Sequence, residues 1–272
     1  MAHLAPDEVE RYARDGWVVP RFRLPPAHVA AMAAALEALL AANPGVRPEK
    51  LVSAHIEGDN GEGVRGVRDF LELARDPEIV ELVSGVIGDD VILWGCHVFC
   101  KPPGEGYETP WHQDGHYWPI RPLATCTAWV ALEPSTRANG CLRVIPGSHR
   151  GQRLWPHLHE DRTDLTLNQR MADGDWDEGS AVDIELEPGQ MSLHDVYMIH
   201  GAAANRSAQR RTGVALRYMP ATSLFDRTLR PVDGQSGVPV DFARRPIWLL
   251  RGVDRTGRND FEVGHRPARE SA

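Results

Sequence analysis

His112 and Asp114 stand two residues apart in the stretch YETPWHQDGHYW, residues 107–118. At the end of a β-strand, side chains at i and i+2 point to one face, so this spacing would set an imidazole beside a carboxylate. Two such groups make two corners of a facial metal site. A second imidazole would complete the two-His-one-carboxylate set that holds non-haem Fe(II) with positions left open. The candidate third ligand is His200, 88 residues after His112, just before a glycine and a turn that lead into the last predicted strand. In a jelly roll the opposite sheet returns to the barrel mouth at about that stage. Arg211 follows His200 by eleven residues. A planar guanidinium there could clamp a carboxylate through two parallel bonds, which an ammonium cannot match.

The elements that must position these groups change character near residue 88. Before it, apolar spacing with proline starts and glycine or asparagine stops predicts helices over 6–14, 25–42, 69–75 and 77–86, with a short strand at 17–19. The glycine- and acid-rich run IEGDNGEGVRG places a loop over 46–66. After residue 88 the pattern is strand and turn: strands are expected over 91–101, 125–132, 141–145, 182–186, 189–193 and 212–218. A polar loop of about thirty residues, 151–180, interrupts them; loops of that length are commonly functional or disordered. Short strands preceded by helices predict a mainly β chain, a double-stranded β-helix of jelly-roll, cupin-like type. The organisation expected is one domain over 1–272. It divides into a helical buttress to residue 88, a barrel core over 89–220, and a C-terminal extension, 221–272, that could cover the site.

Composition narrows the function classes. The chain has 272 residues and a formal charge of −8, which argues against a nucleic-acid partner, since neutralising phosphates needs a basic face. Only Lys50 and Lys101 are lysines among 30 basic residues, so Schiff-base chemistry has two possible seats. No apolar run reaches the ~18 residues of a membrane span, and the first residues lack the pattern of a secretion signal. Four cysteines without CxxC spacing read as reduced core thiols. A cytoplasmic protein acting on a small molecule, with no membrane partner, is the expectation; nothing in the sequence speaks to oligomeric state.

The motifs KPPG (101–104), WHQDGHYWP (111–119), NGCLRVIPGSHR (139–150), PGQ (188–190) and HGAAANRSAQRRTGVALRY (200–218) occur in this order. Together they resemble the phytanoyl-CoA dioxygenase family of Fe(II)- and 2-oxoglutarate-dependent oxygenases, over roughly residues 6–220. The resemblance implies His112, Asp114 and His200 on iron and Arg211 on the distal carboxylate of 2-oxoglutarate. It also places Trp129, and less directly His97, beside that cosubstrate. The activity implied uses O2 to hydroxylate an unactivated C–H of a small metabolite, with release of succinate and CO2. Two positions bear on that reading. Many members carry serine two residues after the distal histidine, where this chain has Ala202. Halogenating relatives replace the carboxylate by a small residue, whereas this chain keeps Asp114.

Other residues have plainer expectations. His159-Glu160-Asp161 repeats the HxD spacing but lies in the charged loop without strand patterning before it, so a solvated loop is expected. His194 is expected to pack or support the site, His149 to serve a turn, and Arg217 to share the strand face of Arg211. His116, Tyr117 and Trp118 follow the metal motif and are substrate-lining candidates; aromatic rings near arginines suit a small acid or zwitterion. Arg251 and Asn259 in the C-terminal segment could meet an anionic group. The alternative to an oxygenase is a non-catalytic or zinc-holding jelly roll that binds a small molecule.

Overall fold

Alternation within three central strands decides the layering. In Val91–Lys101, Cys126–Ala131 and Arg211–Pro220 nearly every residue is buried, because both faces of this sheet are covered. One face carries Cys96, Val98, Cys100, Cys126, Ala128, Val130, Val214, Leu216 and Tyr218, which pack on helix residues such as Leu36, Leu39, Phe70, Leu73 and Val83. The other face carries Trp129, Ala131 and Ala215, which meet Leu142, Val144 and Ile184 of a second sheet, with Leu186 just beyond it. A sheet sandwiched in this way reads as an almost continuous apolar run, as VILWGCHVFC does.

The computed structural model describes residues 2–174, 176–229 and 242–265. Its seven-stranded sheet runs Trp17–Val18, Met191–Asp195, Cys126–Ala131, Arg211–Pro220, Val91–Lys101 and Trp248–Arg251, with Leu51–Val52 also pairing to Val91–Lys101. A four-stranded sheet in the order Val182–Ile184, Leu142–Val144, His200–Ala202, Thr109–His112 faces it. All these pairings are antiparallel, and the two layers make the double-stranded β-helix that the alternation predicts.

Helices Pro6–Asp15, Pro26–Ala42, Asp69–Ala74 and Pro77–Ile87 cover the outer face of the larger sheet. The last begins at Asp76, whose carboxylate accepts from the backbone N–H of Glu78 (2.9 Å) and Ile79 (3.3 Å), with proline at the first helical position. Among the described residues, no helix is long and apolar enough to cross a membrane.

Two local expectations need correction, for residues 46–66 and for 151–180. Residues 46–66 are not simply a loop, since Leu51–Val52 joins the main sheet and Gly58–Asp59 pairs with Arg65–Gly66. Two-residue strands take their conformation from the partner rather than from their own residues. The 151–180 segment contains a hairpin of its own, His157–His159 against Gln169–Met171. The C-terminal segment adds Trp248–Arg251 to the edge of the main sheet, and Phe242 and Arg245 reach the central cleft. Residues 230–241 and 266–272 of that expected extension lie outside the described residues.

A bulge in Val91–Lys101 re-aims one large side chain. Arg217 pairs with Gly95 but Tyr218 pairs with Leu93, so Trp94 is the extra residue. Beyond the bulge the faces exchange: Val91 and Leu93 turn to the helices while Ile92 and Trp94 turn inward against Trp118 and Met219.

Candidate metal centre

His112 ends the strand Thr109–His112 and pairs directly across with His200, the first residue of His200–Ala202. The two imidazoles therefore come from adjacent strands of one sheet, not from opposite sheets, and their ring centroids are 4.1 Å apart. Asp114 is not on the strand; it opens the 3₁₀ turn Asp114–His116. That turn folds the carboxylate back toward the rings, a juxtaposition expected from strand alternation and achieved by different backbone.

The ligating atoms of His112, Asp114 and His200 all lie within 4.8 Å of one another, and all three residues are buried. His112 Nε2 is 3.6 Å from Asp114 Oδ1 and His200 Nε2 is 3.8 Å from Asp114 Oδ2. Those separations are too long for hydrogen bonds. They fall inside the ~4.2 Å that two donors can span when each reaches one ion at ~2.1 Å. His112 Nδ1 lies 2.8 Å from the Pro110 carbonyl and His200 Nδ1 3.0 Å from the Met198 carbonyl. A carbonyl only accepts, so each Nδ1 carries its proton and each Nε2 presents a lone pair to the shared space. Burial pushes the His200 imidazole down to about 3. Burial opposes ionisation of Asp114, but the adjacent His112 ring and the Arg217 charge outweigh it and hold its carboxyl well below the usual range. Two neutral imidazoles and one carboxylate are the donor forms a divalent ion requires.

Gln113, between the two ligands, is wholly buried and points away from them. Its amide nitrogen donates to the carbonyls of Tyr197 (2.7 Å) and Arg153 (2.9 Å), and its oxygen accepts from Trp155 N–H (2.8 Å). One side chain thus ties the HxD turn to the segment before His200 and to the long loop. A glutamine carries no sequence signal for such a role.

Arg211 is 2% exposed, with Trp129 beneath its guanidinium at 5.2 Å. It donates to the Gly140 carbonyl from Nε (3.1 Å) and Nη2 (2.8 Å), and no carboxylate pairs with it among the described residues. Burial pushes its pKa down to about 10, which still leaves it charged at neutral pH. A buried guanidinium held only by carbonyls has charge left to offer an anion. Lys101, wholly buried next to it in the sheet, donates to the carbonyls of Ala203 (2.5 Å) and Ala202 (3.3 Å). The backbone of Ala202 is therefore engaged where its side chain has nothing to donate.

His112, Asp114, His200 and Arg211 line one cleft of about 900 Å³, its open side included. His97, Trp129, His194, Tyr117 and Trp118 are on its wall, with His97 stacked on Phe99 at 3.9 Å and donating from Nε2 to the Glu49 carbonyl (3.2 Å). His116 is not on that wall; its ring lies tilted against that of His157, centroids 4.4 Å apart. Arg251 and Asn259 are also elsewhere. Arg251 pairs with Glu81 and Asp89, and Asn259 accepts from Phe225 N–H (2.8 Å) and donates to the Ser223 carbonyl (3.0 Å). The second HxD is an exposed contact, His159 Nε2 to Asp161 Oδ1 at 2.9 Å. Trp94, Thr127 and Arg245 also line the cleft, though no motif in the sequence singles them out.

A metal-competent His–Asp–His set inside a double-stranded β-helix defines a cupin-type metal centre. The family model of phytanoyl-CoA dioxygenase (PhyH) matches residues 12–213, and the chain belongs to that family. It is 32% identical over 174 residues to a probable phytanoyl-CoA dioxygenase of Caenorhabditis elegans, covering 59% of this chain and 55% of that protein. The chain thus spans about half the length of this curated relative. Among solved structures it is similar to the apo form of ThoJ, a non-heme monooxygenase (TM-score 0.70, 26% identity, 91% of this chain and 85% of that one). It is also similar to the epimerase SnoN in complex with Fe3+, alpha ketoglutarate and nogalamycin RO (TM-score 0.65, 25% identity, 90% and 98%).

Proposed function

We propose that this chain is an Fe(II)- and 2-oxoglutarate-dependent dioxygenase that hydroxylates an unactivated C–H of a small-molecule metabolite, releasing succinate and CO2. The observation that carries the reading is the pairing, in one cleft, of three buried metal donors with a buried arginine that has no carboxylate partner among the described residues. Iron and 2-oxoglutarate, when bound, supply the oxidising power to insert one oxygen atom of O2 into the C–H bond while the cosubstrate loses CO2.

The chain's own residues have separable tasks. His112 and His200 offer Nε2 because their Nδ1 protons are held by backbone carbonyls, and Asp114 offers a carboxylate that stays ionised. Arg211 fixes the far carboxylate of 2-oxoglutarate, with Trp129 packed against its guanidinium and His97 on the same wall. Tyr117, Trp118 and Phe242 supply apolar surface that keeps water from the reacting end.

Anaerobic addition of Fe(II) and then 2-oxoglutarate tests this directly. The wild type is expected to develop a weak visible charge-transfer band, and His112→Ala to show none while remaining folded. A zinc-holding or non-catalytic barrel would give no band in either protein, and that result would end the oxygenase reading.

A further inference from the structure

The inner face of the larger sheet carries a second arginine that the metal and cosubstrate do not account for. His194, Thr127, Arg217 and Gly95 lie in one cross-strand row, and all but Gly95 line the cleft. Arg217 is 9% exposed, and its Nε has no hydrogen-bond partner among the described residues. Its nearest carboxylate among the described residues is Asp114, with Nη2 at 4.0 Å from Oδ1, the outer limit of an ion pair. When Asp114 ligates a dication, its charge is directed there and no longer neutralises the guanidinium.

Two further features mark the same corner. A Cβ on Gly95 would meet Arg217 Cδ at 3.6 Å and Arg245 Nη1 at 3.9 Å, so both arginines converge over this glycine. Arg245 is matched by Glu62 at 2.6 Å, both side chains being 3% exposed. Among the described residues Arg217 has no such match. The bulge turns Trp94 into the same corner, where its indole Nε1–H is buried without an acceptor among the described residues. Thr127 Oγ1 and His194 Nδ1 are likewise buried and unpartnered among the described residues. Buried donors left unsatisfied each cost about 1–3 kcal/mol, so a cluster of them around one cavity calls for a ligand. The surroundings are aromatic: Arg217 lies 4.9 Å over the Trp118 ring and 5.8 Å from that of Trp94, with Tyr117 and Phe242 on the same wall.

We propose that Arg217 is a specificity-determining residue that binds the carboxylate of the substrate, an acid on an apolar body, with the Trp94 indole N–H as a second donor. This deepens the oxygenase reading and rests on it: Arg211 takes the cosubstrate and Arg217 the substrate. The same guanidinium could instead meet the metal-end carboxylate of 2-oxoglutarate, or serve only to hold Asp114, and the test separates these.

The full chain, loaded with Mn(II) and saturating 2-oxoglutarate, is titrated calorimetrically with phenylacetate, 3-phenylpropionate and cyclohexanecarboxylate, and with the matching neutral amides. At least one acid is expected to bind about tenfold or more tightly than its amide, as a charge-assisted bond implies. Arg217→Met removes that preference, and Arg217→Lys, which keeps a charge and serves as the folding control, retains part of it. Affinities for Mn(II) and for 2-oxoglutarate change by less than about threefold in both variants, since neither ligand is held by Arg217 in this assignment. The proposal is overturned if no acid is preferred over its amide, or if Arg217→Met keeps the preference. It is also overturned if the main loss is in 2-oxoglutarate affinity, which assigns Arg217 to the cosubstrate, or in Mn(II) affinity, which makes it a support for Asp114. Failure of the oxygenase reading shows separately, as absence of the Fe(II)–2-oxoglutarate band in the wild type.

Discussion

Gly213 sits where the sheet passes under Trp129, and replacing it by alanine isolates what that indole does. An added Cβ would lie 1.8 Å from Trp129 Cζ2 and 2.3 Å from Cε2 and Cη2. An ordinary carbon contact is ~3.5 Å, so the ring would have to withdraw by about 1.7 Å. Trp129 is only 5% exposed and packs under the Arg211 guanidinium at 5.2 Å, so moving the ring disturbs that contact. Overpacking of this kind costs about 1–3 kcal/mol. At ~2–4 °C per kcal/mol for a chain of this size, Gly213→Ala should melt about 2–12 °C below wild type. The displaced ring also leaves Arg211 less well placed, so the 2-oxoglutarate titration should shift to higher concentration. Gly45→Ala is the control, because a Cβ there meets nothing within 4 Å. Melting followed by circular dichroism, with an anaerobic cosubstrate titration, reads both effects. If Gly213→Ala melted within about 1 °C of wild type and titrated identically, the placement of Trp129 against Arg211 would be refuted.

Other outcomes come from the same geometry. Arg211→Gln should raise the 2-oxoglutarate requirement by roughly tenfold or more, since bonds to charged groups contribute about 1.5–3 kcal/mol; an unchanged requirement would remove Arg211 from the cosubstrate site. Burial pushes His55, His97 and His200 down to about 3, and His157 and His194 down to about 4. Unfolded imidazoles titrate near ~6.5, so between those values the unfolded chain binds more protons than the folded one. Stability of the metal-free protein is therefore full above about pH 6.5 and falls progressively toward pH 4. The urea midpoint should drop on acidification through that window, and a flat midpoint would contradict the burial of these rings.

The parts legible in the sequence are those with a local physical signal. Val91–Lys101 is legible with its observed bounds because both its faces are buried and the run is apolar throughout. The helices are legible within one or two residues from their prolines, glycines and spacing. The His112, Asp114 and His200 juxtaposition is legible from residue type, spacing and family resemblance, although Asp114 reaches it from a 3₁₀ turn. Features that depend on a partner are not. The hairpin His157–His159 with Gln169–Met171 sits in a polar stretch, and Leu51–Val52 is a strand only because Val91–Lys101 lies beside it. The bulge at Trp94 arises from its pairing with Arg217 and Tyr218, so nothing in the strand's own sequence announces that the indole turns inward. Arg217 is recognisable as sharing Arg211's face, but its missing partner becomes visible only once every neighbour is in place.

The strand Arg211–Pro220 acts as a rail with both arginines on it. They are separated by an even count, and the residues between them on that side are Gly213 and Ala215, small enough to leave the passage clear. Inserting or deleting a single residue anywhere between them would turn one guanidinium into the helical layer, whatever residue was chosen. The bulge opposite lies just past Arg217, where it redirects Trp94 without disturbing that count. Selectivity at either end can therefore drift by substitution, whereas the length of this seven-residue run cannot change without separating the two ends of the cleft.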